Sequence, residues 1–344
     1  KLGDIEQPTA RFGLMDIHGD GRQSDEHHRD VEPLLALRVY RQARRFGVSA
    51  ATLFHAAWGL VVAHTSGQDD VVFGTVLLGR LHGSAGAQRI IGMFINTLPF
   101  RVKLSGVTAK ELLEQVQREL VDLLHHEQAS LAVAHRCSNI AGSAPVFTAL
   151  LNYRHSVPNP ESKWSSADGV RVLGIQVRTH YPIVLSVDDL GDGFRLSAHT
   201  DRRVDAHRMT ECLHTAMQVL VDALDSMPQT AILALSVLPK RERHQLIEEF
   251  NATQVPYPRT KLIHEIFEEQ VQTAPEAVAV VYEGQSLTYA KLNRRANQLA
   301  RYLRDNGVGP DQLVAICLER SPDMVIGVLG ILKSGGAYVP LDPS

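Results

Sequence analysis

The hydrophobic pattern of the first third of the chain predicts two helices in succession. Apolar residues recur at helical spacing across residues 33–46, and Gly47 ends the run. These apolar positions are Leu34, Leu37, Tyr40 and Ala43. Ser49 then occupies an N-cap position ahead of a second apolar face over residues 53–61. Both runs therefore predict helices with an apolar face.

Strand patterns follow these helices. Residues 70–78 are rich in Val and Phe and predict a buried strand. Four further strand-like runs are separated by turn residues, at 147–155, 170–178, 181–187 and 193–200. A capping box at residues 108–111 opens a helix that extends to about residue 125, and Asp205 caps another through residue 224. Strands placed between helices predict an α/β layer architecture.

The pattern changes after a stretch that contains several prolines. Residues 226–259 carry these prolines around a short charged helix at 240–250, and we predict an interdomain linker there. Beyond the linker the predicted order is strand 278–282, helix 289–306, strand 313–318, helix 323–333 and strand 338–341. This βαβαβ order predicts a parallel sheet with helices packed on it.

Composition excludes several classes of protein. The net charge of −3 in 344 residues gives no electrostatic basis for binding nucleic acid. Cys137, Cys212 and Cys317 are isolated and odd in number, which predicts a reducing compartment, and we expect the cytoplasm. The longest apolar stretch, residues 53–63, is too short to span a bilayer. No Cys/His spacing indicates a zinc site.

Two histidine pairs are candidate sites. His125 and His126 would point about 100° apart on a helix, so they do not converge on one ion, and a polar helix end is the better interpretation. His27 and His28 precede the first helix, where we predict a solvated polar segment. Neither pair is assigned a metal-binding or catalytic role.

The most informative stretch is residues 91–101, IGMFINTLPFR. Asn96 and Thr97 are polar side chains in an otherwise apolar run, so they need hydrogen-bond partners or water. Pro99 disfavours a central sheet position because proline cannot donate a ladder hydrogen bond. Two interpretations stay open, a buried edge strand with satisfied polar groups and a substrate passage.

This stretch closely resembles the I/V-G-x-F-x-N-T-x-x-x-R motif of condensation domains from nonribosomal peptide synthetases. Gly92, Phe94 and Arg101 fall on the fixed positions of that motif. The resemblance implies a substrate tunnel. Its candidate lining residues are Asn96, Thr97, Tyr153 and Ser186, with a purely structural role as the alternative for each.

Two later segments resemble the opening motifs of adenylation domains from the same synthetases. Residues 287–292, LTYAKL, are similar to L-T/S-Y-x-E-L, with Lys291 in place of the usual Glu, and residues 332–342, LKSGGAYVPLD, match the second motif almost throughout. The residues that carry these matches are Thr288, Tyr289, Gly335, Gly336, Tyr338, Pro340 and Asp342. We predict that Thr288 caps a helix and that the Gly pair ends one, so the Gly pair is not a nucleotide cradle.

Together the two resemblances imply an α/β fold in two parts. The first is the C-terminal lobe of a chloramphenicol-acetyltransferase-like condensation domain at residues 1–225. The second is the truncated N-terminal α/β subdomain of an adenylate-forming domain at residues 260–344, joined to the first by the linker at 226–259. The HHxxxDG histidine is expected before Lys1 and the ATP-binding loop after Ser344. His27-His28 is followed by RDVEP, which lacks the Asp and Gly of HHxxxDG. No catalytic residue and no bound cofactor are therefore assigned to this chain.

The parent implied by these resemblances is a synthetase. It would condense a carrier-bound acyl or peptidyl thioester with an amino acid that it activates with ATP and Mg²⁺, and phosphopantetheine on upstream and downstream carrier domains would hold the substrates. Residues 150–155 and 186–190 look like stretches of bacterial lipopeptide synthetases, so a bacterial source is expected. The alternatives are a non-catalytic scaffold that docks carrier domains and a coenzyme A-dependent acyltransferase of the same fold. No nucleic acid or membrane partner is expected.

Overall fold

A computed structural model describes residues 1–15, 24–79, 94–142, 144–155 and 179–343. These residues form two compact units, Lys1–Ala252 and Thr253–Ser344. The helices of the first unit are α1 (Pro33–Phe46), α2 (Ala50–Ser66), α3 (Ala109–Leu124), α4 (Leu131–Arg136), α5 (Ala206–Ser226) and α6 (Lys240–His244). Its strands are β1 (Ser24–Asp30), β2 (Asp70–Leu77), β3 (Asn96–Lys103), β4 (Ala149–His155), β5 (Ile183–Asp189) and β6 (Phe194–Asp201).

The six strands form one mixed sheet in the order β1-β6-β5-β4-β2-β3. The β2–β4 and β4–β5 pairs are parallel, and the β1–β6, β5–β6 and β2–β3 pairs are antiparallel. In the described part of the sheet β3 is an edge strand, which confirms the expectation drawn from Pro99.

Alternate residues of each strand face a layer formed by α1, α2, α3 and α5, and we call this side the helix face. Here α2 is buried all round, and Trp58 and Phe54 are among its fully buried side chains. The other side, which we call the second face, carries a smaller apolar cluster of Ile5, Val72, Ile140, Val146, Phe147 and Leu150. The main core therefore lies between the helices and the helix face.

Several predicted helix ends are confirmed. Ser49 accepts a hydrogen bond from the Thr52 amide, and Thr108 and Glu111 form a reciprocal capping box at the start of α3. Asp205 accepts bonds from the amides of the first turn of α5. These local signals need only neighbouring backbone amides, so sequence alone identifies them.

Two expectations for the first unit are wrong in part. Of the four apolar positions predicted for α1, Ala43 is buried and Tyr40 packs against the core. Leu34 and Leu37 are instead 72% and 65% exposed, and Leu35 and Val39 are buried in their place. Packing against α2 and α5 selects a face about 100° from the one that the leucines suggested. His27 and His28 lie in a polar, largely exposed segment ahead of α1, as predicted, but that segment is the strand β1, because β6 offers a full antiparallel pairing from residue 24 to residue 30.

The start of the predicted linker is packed on the first unit. Ile232 is fully buried, its amide bonds to the Val107 carbonyl at 2.9 Å, and Val237 is also buried. The predicted charged helix is present as α6 followed by one π-helical turn at Gln245–Glu249. The predicted strand at 170–178 lies outside the described residues.

The second unit contains three helices and two small sheets among its described residues. These are α7 (Ile263–Thr273), α8 (Tyr289–Asp305), α9 (Pro322–Ser334), β7 (Val278–Tyr282), β8 (Gln285–Thr288), β9 (Leu313–Ile316) and β10 (Ala337–Pro340). The parallel β9–α9–β10 arrangement is confirmed. The inclusion of β7 in that parallel sheet is wrong, because β7 forms an antiparallel hairpin with β8, a strand that the periodicity did not reveal.

Candidate functional site

Asn96 begins β3 and all of its amide hydrogen-bonding atoms have backbone partners. Its Nδ2 donates to the carbonyl oxygens of Glu127 at 2.9 Å and Ala129 at 2.7 Å, and its Oδ1 accepts from the Thr97 amide at 2.9 Å. Both amide hydrogens are thus used by the turn that follows α3. A primary amide has two donors, so Asn96 has none left for a substrate carbonyl in this arrangement.

Thr97 projects from the second face of the sheet. It pairs with Val76 in β2, whereas Phe100 and Val102, of opposite parity, belong to the main core on the helix face. Thr97 is partly buried. Its hydroxyl is available as both a donor and an acceptor on that face.

Ser186 also lies on the second face, in a row of polar residues that crosses four strands. Asn152, Ser186, Ser197 and His28 are consecutive partners in the register of β4, β5, β6 and β1. The Ser197 hydroxyl bonds to His28 Nδ1 at 2.8 Å, and Ser186 is 5% exposed. The sheet spacing places Thr97 about 14 Å from Ser186 on the same face. Sequence reasoning missed Asn152 and Ser197, because only the register aligns them with Ser186.

Tyr153 lies on the opposite side, in the helix layer. Its ring packs 5.9 Å from that of Phe54, and its hydroxyl donates to Asp189 Oδ2 at 2.7 Å. Tyr40 donates to the other oxygen of Asp189 at 2.6 Å. Burial, and then the neighbouring Asp189 carboxylate, raises the pKa of Tyr153 well above its ordinary value. Burial also opposes ionisation of Asp189, but the two tyrosine hydrogen bonds and the Gly191 amide outweigh it and lower the pKa of Asp189.

The structure therefore brings together only part of the predicted set. Thr97 and Ser186 share the second face, Tyr153 is in the helix layer, and Asn96 is bonded to the turn after α3. The reason is the two-residue alternation of a strand, which sends side chains of opposite parity to opposite faces. Sequence proximity to the motif could not assign these faces.

Arg101, which ends the condensation motif, makes structural contacts with two carboxylates. Arg101 donates to both oxygens of Asp70 at 2.8 and 2.6 Å, and also bonds Asp4. These two carboxylates raise the pKa of Arg101, so the guanidinium stays charged. Phe94 lies two residues before β3, and Gly92 is outside the described residues.

The motif residues of the second unit shape helix ends and strands. Thr288 caps α8 by accepting a bond from the Lys291 amide at 3.3 Å, and the Tyr289 ring packs 5.8 Å from Phe267. Tyr338 and Pro340 lie in β10 opposite Val314 and Ile316, and the Asp342 carbonyl lies 3.9 Å from Cys317 Sγ.

The Gly pair of the second unit does not fit a nucleotide. Gly335 ends α9 with φ +96°, which favours glycine, and its amide bonds to the Leu332 carbonyl at 3.2 Å. The Gly336 amide bonds to Ile331 at 3.1 Å. Both amides are thus committed to ending the helix and cannot also cradle phosphates. The predicted role as helix terminator is confirmed.

Neither histidine pair forms a metal centre. His27 Nδ1 bonds to Thr210 at 2.8 Å, and His28 Nε2 lies 2.9 Å from Glu26. The rings of His125 and His126 bond to carbonyls one turn earlier in α3. No group of three His, Cys, Asp or Glu residues in the described ranges is arranged to hold a metal ion. Within the same ranges no single helix is long and apolar enough to cross a membrane, although α1 and α2 would pass by length and composition as a pair bent by 106°.

Comparison with known proteins defines the class of fold. The chain aligns with a four-domain nonribosomal peptide synthetase, holo-AB3403, with a TM-score of 0.72 and 16% identity over 99% of this chain and 27% of that one. FmoA3, another nonribosomal peptide synthetase, aligns with a TM-score of 0.62 and 20% identity over 100% of this chain and 36% of that one. The fold is that of a condensation domain followed by the start of an adenylation domain.

Family models give the same order along the chain. The condensation domain model matches residues 17–247, and the model of AMP-binding enzymes matches residues 267–344. The chain belongs to the condensation-domain family of nonribosomal peptide synthetases, and it carries the beginning of an AMP-binding domain.

Relatives of known sequence are much longer. Malpinin synthetase of Mortierella alpina is 45% identical over 99% of this chain, which spans 4% of that relative. Tyrocidine synthase 3 of Brevibacillus parabrevis is 33% identical over 89% of this chain and 5% of its own length. The higher identity to the fungal Mortierella synthetase contradicts the expectation of a bacterial source.

Proposed function

We propose that this chain serves a nonribosomal peptide synthetase that forms amide bonds between carrier-bound substrates. The observation that carries this proposal is the order of the two family matches, condensation and then AMP-binding, within one chain. A coenzyme A-dependent acyltransferase would have no use for the second match.

The proposed reaction joins an upstream acyl or peptidyl thioester to an aminoacyl acceptor. The acceptor amine attacks the thioester carbonyl, the C–N bond forms, the C–S bond breaks, and the departing thiolate takes up the proton that the amine releases. The parent would supply phosphopantetheine arms on both carrier domains, and it would activate the amino acid with ATP and Mg²⁺. We place this chemistry in the cytoplasm, where free thiols such as those of Cys137 and Cys317 persist.

The contribution of this chain is to position substrates. Thr97 and Ser186 offer hydroxyls on the second face of the sheet, and we propose that this face borders the substrate passage. Neither residue is assigned proton transfer, because a serine or threonine hydroxyl needs an adjacent base to act as one. Asn96 and Tyr153 have a supporting role for the second face. Asn96 is bonded to backbone carbonyls, and Tyr153 is bonded to the Asp189 carboxylate.

The two units have different roles in this proposal. We propose residues 1–225 as the condensation lobe, 226–259 as a linker whose first part, around Ile232 and Val237, packs on the first unit, and 260–344 as the start of the adenylation domain. The second unit contributes the β9–α9–β10 crossover, with its capped helices, as the first part of the adenylation domain.

The test is to place this sequence in a complete module and measure peptide formation from an upstream carrier-bound thioester. We expect product from the module. We expect neither amide formation nor ATP–pyrophosphate exchange from the 344-residue chain alone. Transfer from a free coenzyme A thioester but not from a carrier would support the acyltransferase instead. Binding of carriers without product would support a scaffold.

A further inference from the structure

A three-residue turn after α3 contacts both the end of β2 and the start of β3. Gln128 Nε2 donates to the carbonyl oxygen of Gly79 at 2.6 Å. The carbonyls on either side of Gln128, those of Glu127 and Ala129, accept the two hydrogens of the Asn96 amide. We call these residues, Gly79, Asn96 and 127–129, the turn clamp.

The two chain segments held by the turn clamp also touch each other. Gly79 has φ +71°, and a Cβ atom built on it would lie 1.9 Å from the carbonyl oxygen of Phe94. Only glycine permits this approach. Leu77 and Asn96 are the last backbone partners of the β2–β3 ladder. The turn clamp therefore continues the connection between these two strands beyond the ladder through side-chain hydrogen bonds.

The turn offers rigid acceptors and a well-placed donor. It is closed by bonds from the His126 amide to Leu123 and from the Ala129 amide to His126, at 2.9 and 2.8 Å. Asn96 supplies donors to two carbonyls of the turn itself, those of Glu127 and Ala129. Gln128 belongs to the same turn, so its side-chain hydrogen bond fixes Gly79 to that turn.

We propose that Gln128 is a positioning residue that acts with Asn96 to fix the β2–β3 edge and, through it, the Thr97 hydroxyl. Thr97 adjoins Asn96, and its amide is the group that Asn96 Oδ1 holds. Loss of the Gln128 donor therefore frees Gly79 and leaves the Asn96 half of the clamp in place. The part of this proposal that concerns catalysis rests on the proposed condensation function, and the part that concerns geometry does not.

The geometric part is tested on the 344-residue chain by hydrogen–deuterium exchange. Gln128→Met keeps the length of the side chain and removes the donor, and Gln128→Lys keeps a donor at the end of a long side chain. We expect exchange of amides in 75–79 and 94–98 to rise about tenfold in Gln128→Met and by less in Gln128→Lys. Gln218→Met, at an exposed position of α5, is the matched control and should match the wild type.

Two results would overturn the geometric part. One is unchanged exchange at this edge in Gln128→Met. The other is raised exchange across the whole first unit, because Gln128 would then be a general stability residue. If Gln128→Met does not fold, Gln128→Lys and Asn96→Ala are compared in its place, and each should raise exchange only at this edge.

The catalytic part is tested in the complete module. We expect Gln128→Met to slow peptide formation about tenfold, Gln128→Lys to recover part of that loss, and ATP–pyrophosphate exchange by the same module to stay unchanged. Normal peptide formation by Gln128→Met would refute the positioning role even if local exchange rises. A wild-type module that forms no peptide would refute the proposed function and leave the exchange result standing.

Discussion

His55 should make the first unit less stable in mild acid. It lies in α2 and is 3% exposed, with its ring 5.3 Å from that of Phe100. Nδ1 lies 2.7 Å from the Ala51 carbonyl, which can only accept, so Nδ1 carries the hydrogen. Nε2 is then the acceptor for the Thr75 hydroxyl at 2.8 Å. The folded protein thus holds a neutral imidazole with both nitrogens bonded.

The direction and size of the effect follow from the pKa of His55. Burial lowers that pKa from 6.5 to about 4, so the unfolded chain binds the proton more readily than the folded one. The contribution of His55 to stability is constant above about pH 7.5 and declines as the pH falls from about 6.5 towards 4. The loss is about 1 kcal/mol at pH 5.5 and about 2–3 kcal/mol at pH 4.5.

The assay is urea unfolding at pH 7.5 and 5.5, followed by tryptophan fluorescence. Trp58 is one of two tryptophans in the sequence and is fully buried in the core of the first unit, so its fluorescence reports on that unit. His55→Leu abolishes the titration. It also leaves the Thr75 hydroxyl unpaired, at a cost of roughly 1–3 kcal/mol that does not depend on pH. The change in free energy of unfolding between the two pH values should therefore be about 1 kcal/mol smaller in His55→Leu than in the wild type.

His64→Leu is the matched control, because His64 is an exposed histidine of the same helix. It should keep the pH dependence of the wild type. If His55→Leu and the wild type lose the same free energy between pH 7.5 and 5.5, the buried neutral histidine is not the source of acid sensitivity and the reasoning fails.

Three further outcomes are expected. Lys333→Met should destabilise the second unit by roughly 1–3 kcal/mol, because the Lys333 ammonium bonds Glu268 and two asparagine side chains. Calorimetry should show a lowered transition for the second unit and an unchanged one for the first, and an unchanged transition of the second unit would contradict this. In a complete module Ser186→Ala should alter the KM or rate of peptide formation several-fold, whereas Tyr153→Phe, in the helix layer, should act only through protein stability. Equal kinetic effects of the two variants would argue against the second face as a border of the substrate passage. Limited proteolysis should cut the chain first within 238–262, where exposed residues follow the packed residues near 232. A first cut inside α2 or α5 would refute the division of the chain into these two units.

Local chemistry determined much of what the sequence could predict. The caps at Ser49, Thr108 and Asp205 depend on amides within three residues, and the Gly335 helix end depends on one backbone conformation. The motif residues around Asn96 and in 332–342 likewise indicated the family before any tertiary contact was known.

Tertiary structure decided which faces these elements present and which residues meet. The apolar residues of α1 permit two neighbouring faces, and only packing against α2 and α5 buried Leu35 rather than Leu34. Strand parity separated Tyr153 from Ser186, because a single residue of offset reverses the face. Gln128 and Gly79 are 49 residues apart, so no local pattern could place that donor on that carbonyl. The hydrophobic periodicity of a segment indicates which faces it can bury, and the fold determines the partner against which one of them is buried.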